Sequence, residues 1–216
     1  MQSQNEVERY SAAGRWLHWV HSGAFLILVI TGVFFFVPWF GDAGIAGVSR
    51  FFHRIGAIIF IVAPLLMALA SPKKAIEFIK ENITWGKDDI AWVKAAPDYY
   101  FGGDERKMLP QGRVNTGQKL YGVTVLGGSV AFLVTGIIMW FFRGEVSPTA
   151  FQWAVFVHDA AFIAVFSFFL VHTYLSALHP RMTESLRSMI GGKVSVHYAQ
   201  SHYGKWYAEI TKDEKK

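Results

Sequence analysis

Four long apolar runs separated by polar stretches set the plan of this chain. The last of them, residues 151–178, reads FQWAVFVHDAAFIAVFSFFLVHTYLSAL and carries one formal charge, Asp159. As a helix it is about 42 Å long, more than the ~30 Å of bilayer hydrocarbon. The pattern predicts membrane-spanning helices at about 16–37, 51–70, 117–142 and 150–178. Pro38 stops the first, because proline lacks an amide donor and clashes with the preceding turn. Pro64 sits inside the second and predicts a kink, and Ser71-Pro72 ends it. The fourth starts after Ser147-Pro148.

The polar stretches are a short tail (1–14), a Gly-rich connection (38–50), a long loop (71–116) and a C-terminal tail (179–216). In the long loop IEFIKENI predicts an amphipathic surface helix, whereas the Gly, Pro and Asp of residues 88–115 predict loop with short turns. In the tail TESLRSMI has a helical pattern that breaks at Gly191-Gly192. No internal repeat is evident. The fold expected is a single all-α domain over residues 1–216, an integral membrane four-helix bundle.

Composition agrees with this class: 52% of the 216 residues are hydrophobic and 17% charged, with 19 Phe and 8 Trp. The aromatic excess reads as lipid-facing surface and interface anchoring. There is no cysteine, which excludes iron–sulfur ligation, thiolate-ligated haem, disulfides and covalent c-type haem attachment. The first run is too long for a signal-peptide core and ends in FFFVPWF without a small-residue cleavage site, so it is expected to be retained. Of the 21 Lys and Arg, all but Arg50, Arg54 and Arg143 fall before the first run, between the second and third, or after the fourth. By the positive-inside rule both termini are then cytoplasmic.

That orientation assigns each histidine a depth. His158 and His172 are 14 residues apart on the fourth helix, so they lie roughly 21 Å apart and within about 40° of one face. A single histidine at a span end reads most simply as an interfacial polar group. Two on one stripe near opposite membrane edges, with others at matching depths, point to axial haem ligation. His53 with His158 would hold an outer haem, and His172 with His18 or His21 an inner one. Two imidazoles saturate the iron, which suits electron transfer. Gly14, Gly23, Gly32 and Gly56 would let a macrocycle or a second helix approach closely, and Arg15 and Arg54 could meet propionates. Asp159 could orient His158. His179, His197 and His202 read as surface groups of the tail.

The segment from Val114 to Tyr121 (VNTGQKLY) opens the third span with a high density of amide and hydroxyl groups. Asn115, Gln118 and Tyr121, with His172, offer what a quinone needs. The plain alternative is a helix cap formed by Asn115 or Thr116.

Eight segments in order, RWLHW (15–19), FFHRIG (51–56), VNTGQK (114–119), VTGIIMW (134–140), VHDAA (157–161), LVHTY (170–174), MIGGKVS (189–195) and KWYAEI (205–210), resemble the gamma subunit, the di-haem cytochrome b556, of membrane-bound respiratory formate dehydrogenase. The resemblance implies two haem b groups, with His53 and His158 as ligands of the outer one and His18 and His172 of the inner, so that His21 is not a ligand. It implies a menaquinone or ubiquinone site at Asn115, Gly117 and Gln118, beside Tyr121 and His172. It further implies a periplasmic iron–sulfur (beta) subunit, a catalytic molybdenum or tungsten (alpha) subunit, a trimer of heterotrimers, and a place in the bacterial inner membrane. The chain departs from the family pattern at His21, which is extra, at Arg54 after His53, and at Val196-His197 in place of a basic pair.

The function expected is passage of electrons from the iron–sulfur subunit through two haems to quinone on the cytoplasmic side, without contact with formate or nucleic acid. The alternatives are a cytochrome b anchor of a hydrogenase or another molybdoenzyme, and a membrane scaffold without haem.

Overall fold

A computed structural model describes residues 6–36, 45–102 and 109–213. Among the described residues the fold is helical apart from one short two-stranded sheet, and four helices are long and apolar enough to cross a membrane: Ala12–Phe35, Gly47–Ala70, Thr116–Phe141 and Pro148–Leu178. The expected stop at Pro38 and most of the first connection lie outside the described residues. The chain divides into two compact units, Tyr10–Glu77 and the remainder (Met1–Arg9 with Phe78–Lys216).

The first unit is an antiparallel helix pair, α1 (Ala12–Phe36) and α2 (Ile45–Ala70). Ser11 starts α1: its Oγ accepts from the Gly14 amide and its carbonyl from Arg15. Where the helices cross, a methyl at Gly56 would stand 3.2 Å from side-chain carbons of Ile27 and Leu28. Gly56 is thus a close-approach position, whereas Gly23 faces open space. Further along, Phe25 and His21 both pack on Phe60. Pro64 lies within α2, whose helical assignment runs through it.

α3 (Pro72–Ile83) is the expected amphipathic helix, with Ile76, Ile79 and Ile83 exposed along one stripe. In the second unit, residues 87–100 are helical, not the expected loop: α4 spans Lys87–Tyr100. The Asp89 carboxylate accepts from the Gly86 amide at 2.8 Å, and two acids occupy the first turn, so the start is strong enough to carry Pro97 near the end. α5 (Thr116–Phe141) and α6 (Pro148–Thr173) form a second long pair. Ser147 caps α6, with Pro148 in its first turn. α6 runs on through a π-helical turn, Tyr174–Leu178, and a 3-10 turn, Pro180–Met182.

The tail is folded. α7 (Thr183–Gly191) ends at Gly192, whose φ of 88° is the left-handed conformation glycine adopts without strain. A strand, β2 (Lys193–Ser195), α8 (Val196–His202) and α9 (Gly204–Asp213) follow. Residues 6–8, expected to be plain tail, are a strand, β1 (Glu6–Glu8), antiparallel to β2 with Val7 opposite Val194. Three residues are too few to show alternation; the pairing is legible only once the chain ends meet. Arg9 is buried, its guanidinium 3.8 Å from the Tyr203 ring centroid and 4.5 Å from that of Trp206, and it donates to the Arg113 carbonyl. Met182, Val194, Tyr198, Ala199, Tyr203 and Trp206 form the core here.

α5 and α6 meet at Gly128, where an added Cβ would fall 2.3 Å from Cγ2 of Val165. Val165 is stiff at χ1 and 2% exposed, so it has no room to yield. Gly128→Ala should destabilise the protein by about 1–3 kcal/mol, read as a lower unfolding midpoint in detergent. Adding Val165→Ala should recover most of that loss.

Candidate cofactor site

Two of the candidate ligands are held in the same way. In α2 the Nδ1 of His53 lies 2.8 Å from the Thr31 hydroxyl of α1. In α6 the Nδ1 of His158 lies 2.8 Å from the Thr135 hydroxyl of α5. Each threonine is buried, and each hydroxyl donates at 2.6 Å to the carbonyl four residues back, Ile27 and Ala131 respectively. A hydroxyl has one proton. With that proton on the carbonyl, the oxygen accepts from Nδ1–H. This tautomer puts the imidazole lone pair on Nε2, an atom through which imidazole can ligate a metal. The rings are also bounded on their flanks. Gly32 leaves 3.6 Å between its missing methyl and Cε1 of His53, Phe35 meets His53 edge-on, and Phe132 leans on His158 at 5.0 Å. Ser49 donates to the Thr31 carbonyl at 2.9 Å, tying α2 to α1 a turn before His53. It is Thr135, not Asp159, that holds Nδ1 of His158.

His18 is half-buried near the start of α1, edge-on to Trp19. His21 lies flat on Phe60, with centroids 4.0 Å apart. His172, in the last turn of α6, stacks on Tyr121 at 4.4 Å and 14°. Its carbonyl accepts from Ser176 at 2.6 Å in the π-helical turn that follows, a departure from α geometry often found at functional positions. Arg15 donates to the Tyr10 carbonyl at 2.7 Å.

The residues proposed for a quinone fall into two groups within the second unit. Tyr121 pairs with His172. Asn115 caps α5: its Oδ1 accepts from the Gln118 amide at 2.8 Å, and Gln118 Oε1 accepts from the Asn115 amide at 3.0 Å. Gln118 also reaches Tyr203 at 3.4 Å. The cap alternative therefore holds for these atoms. Asn115 also lines a narrow recess with Trp92, Tyr99, Tyr100, Met182, Ser201 and His202. Trp92 covers Gly117, where a methyl would stand 3.1 Å from the indole. Burial pushes the Tyr100 phenol up, so it stays protonated.

The start of α5 is locked by Asp89. Thr116, fully buried, donates to its Oδ1 at 2.7 Å, and the Lys119 ammonium bridges both oxygens at 2.9 and 3.0 Å. Burial alone would raise the Asp89 pKa, but the bonds from Lys119, Thr116 and the Gly86 amide outweigh it and hold the carboxyl below its ordinary value.

Sequence reasoning missed Thr31, Thr135, Asp89, Trp92, Tyr99 and His202. His179 is not a surface group as expected. It is buried, and its ring meets the Tyr100 carbonyl at 3.2 Å. His202 is half-buried, and His197 is exposed.

Four helices long and apolar enough to cross a membrane, two of them carrying a histidine oriented by a threonine, fit the plan of a membrane cytochrome b. Residues 9–192 match the model of the prokaryotic cytochrome b561 family, and the chain belongs to that family. Haem b is accordingly its cofactor class, and the protein is a multi-pass protein of the bacterial inner membrane that works in electron transfer. More particularly, it resembles the cytochrome b556 subunits of formate dehydrogenases. It is 28% identical to the nitrate-inducible cytochrome b556(Fdn) subunit of Escherichia coli K12, over all of this chain and 97% of that protein. It is 30% identical to the formate dehydrogenase cytochrome b556 subunit of Haemophilus influenzae, over 96% of this chain and 84% of that one. It is 25% identical to the cytochrome b556(fdo) subunit of E. coli K12, over all of this chain and 99% of that one.

Asp89→Ala should leave Lys119 and Thr116 facing no carboxylate and cost about 1–3 kcal/mol, visible in the unfolding midpoint. In the unaltered protein the same contribution is present at neutral pH. Because the folded-state pKa is depressed, it should fade only as pH falls below about 4 and through that depressed value. An Asp89→Ala protein should lack this component of acid destabilisation.

Proposed function

We propose that this chain is the di-haem cytochrome b subunit of a formate dehydrogenase. It carries electrons from a periplasmic iron–sulfur subunit to membrane quinone on the cytoplasmic side. The observation that carries the reading is the recurrent Thr–His pair. Each long helix pair presents one histidine whose Nδ1–H is committed to a threonine, and whose lone pair is therefore on Nε2. Full-length similarity to formate dehydrogenase cytochrome b556 subunits supports the assignment of the donor.

In this proposal His53 and His158 ligate the outer haem and His18 and His172 the inner one. The stacking of His21 on Phe60 supports a packing role for that ring. Haem b, when bound, supplies a one-electron carrier. The chain's part is to hold imidazoles in one tautomer and orientation. Thr31 and Thr135 accept hydrogen bonds from Nδ1–H, fix the rings and raise their basicity toward a metal. Asn115, whose Oδ1 is spent on the cap, has Nδ2 to offer a quinone carbonyl. Gly117, Gln118 and Tyr121 complete the pocket, with His172 at its inner edge. The excess of Lys and Arg before α1, between α2 and α5, and after α6 supports placing both termini and the quinone pocket on the cytoplasmic side. An iron–sulfur subunit and a molybdenum or tungsten subunit complete the complex, a trimer of heterotrimers, and menaquinone or ubiquinone is the acceptor.

Haem extraction and the reduced-minus-oxidised spectrum of the purified chain should give two haem b per polypeptide. One haem would show that one ligand pair is wrong, and none in folded protein would end the proposal. His53→Ala or His158→Ala should remove one haem and leave the other. Thr135→Val keeps the shape but removes the hydroxyl, and should weaken retention of one haem by about 10–100-fold. Asn115→Ala should keep both haems reducible by the donor while quinone reduction slows; unchanged turnover would remove the pocket assignment.

A further inference from the structure

The recess beside Asn115 holds a connected line of polar atoms that the cap and the ligands do not use. Tyr99, 5% exposed, has its hydroxyl 2.7 Å from Nε2 of His202. On the other side of that ring, Nδ1 lies 2.9 Å from the Ser201 hydroxyl. Ser201 is exposed, and its hydroxyl also lies 2.9 Å from the His197 carbonyl and 3.3 Å from that of Tyr198. It is thus a rotor that either accepts from Nδ1 or donates to it. Tyr99, His202 and Ser201 all line the recess, as does Asn115.

The line is held from several directions. Tyr198 stacks on His202 with centroids 4.1 Å apart. Arg181 donates to the Tyr99 carbonyl and has its guanidinium over the Tyr99 ring, while the His179 ring engages the carbonyl of Tyr100. The last turn of α4 is therefore pinned by the segment that follows α6, and the Tyr99 ring lies under the Arg181 guanidinium.

We infer that Ser201, His202 and Tyr99 are the proton relay between water and the quinone pocket, a proposal that rests on the quinone reading of Asn115. Imidazole suits the middle position because it has two nitrogens and takes a proton at one while giving a proton from the other. As the oxygen of a reduced quinone takes the Tyr99 proton, the phenol oxygen takes Nε2–H. Nδ1 then takes a proton from the Ser201 side, which is open to water, and the ring returns to its starting tautomer before the next passage. One proton enters and one leaves at each passage. Two passages, with the two electrons delivered through the haems, convert quinone to quinol. His202 acts through Tyr99 and does not touch the quinone.

The test uses membranes bearing the full complex and a water-soluble naphthoquinol as electron source, with haem reduction followed by stopped flow; the reaction runs the relay backwards. His202→Ala should slow haem reduction by about 100-fold, the low end of the range for a positioned acid or base. It should raise the solvent isotope effect, and added imidazole should restore the rate. His202→Gln keeps a partner for the Tyr99 hydroxyl but has no second nitrogen to carry a proton onward. It should be as slow as His202→Ala in protein with unchanged haem content. Tyr99→Phe should be slow and not rescued. A fast His202→Gln protein, or a slow His202→Ala protein with no isotope effect and no rescue, would overturn the relay. If Asn115→Ala is slow while both His202 variants are fast, the relay fails and the pocket stands. If Asn115→Ala is also fast, the pocket reading itself has failed.

Discussion

The structure turns on a hydrogen bond between two helices: a threonine hydroxyl that donates to a carbonyl of its own helix and therefore accepts from the Nδ1–H of a histidine on the next. It occurs once in each long helix pair, at 2.8 Å in both. In water such a bond contributes little, about 1 kcal/mol. In an apolar span its value lies in direction. A neutral imidazole has two tautomers and a ring that rotates, and only one combination aims a lone pair where a metal can use it. Each pair sets that combination from within itself: Thr31 for His53, Thr135 for His158. Small residues at the crossings, Gly56 in one and Gly128 in the other, bring the backbones close enough for a side chain as short as threonine to reach.

The polar end of the chain solves a different problem with different means. Here a narrow recess opens beside the exposed Ser201, and apolar packing alone is not available for every wall. Asp89 ties α4 to the first turn of α5 through Thr116 and Lys119, and Arg9 ties the first strand to the tail between Tyr203 and Trp206. Both are charges made tolerable by partners, a carboxylate by three donors and a guanidinium by two aromatic faces and a carbonyl. The consequence is a recess whose aromatic and imidazole lining comes from α4 and α8, with Met182 of the turn after α6 beside them, segments far apart in the sequence.

What was legible in the sequence follows the range of the signal. The apolar runs are local and long, so the four candidate spans stand out, as do the start of the fourth after Ser147-Pro148 and a cap at Asn115 or Thr116 as one reading of the third. The candidate ligands stood out because histidine is rare inside such runs. The orienting threonines did not, since a threonine in an apolar helix reads as filler. A trace was nevertheless there: a Thr-Gly pair, Thr31-Gly32 and Thr135-Gly136, precedes His53 and His158 by 22 and 23 residues. The two halves thus share an arrangement that hydropathy does not display as a repeat. Pro97 hides α4 in the sequence, because the contact that offsets it, the Asp89 carboxylate on the Gly86 amide, leaves no hydrophobic pattern. β1, the burial of His179 and the Tyr99–His202 contact depend on partners about 80 to 190 residues away, which no window reports.

A residue that serves as a cap and also lines a pocket constrains both roles. Asn115 cannot turn its Oδ1 to a ligand without releasing the Gln118 amide and opening the first turn of α5. The pocket therefore receives only the amide donor of this side chain, and its acid–base chemistry must come from elsewhere. Trp92 and Met182 contribute none. Of the groups lining the recess, Tyr99 and His202 remain as proton carriers, and they are the two joined to each other and, through Ser201, to water. If the recess is the proposed quinone pocket, the cap at Asn115 suits it to a carbonyl-bearing ligand that needs a donor, and the tail helix α8 places the imidazole of His202 beside it.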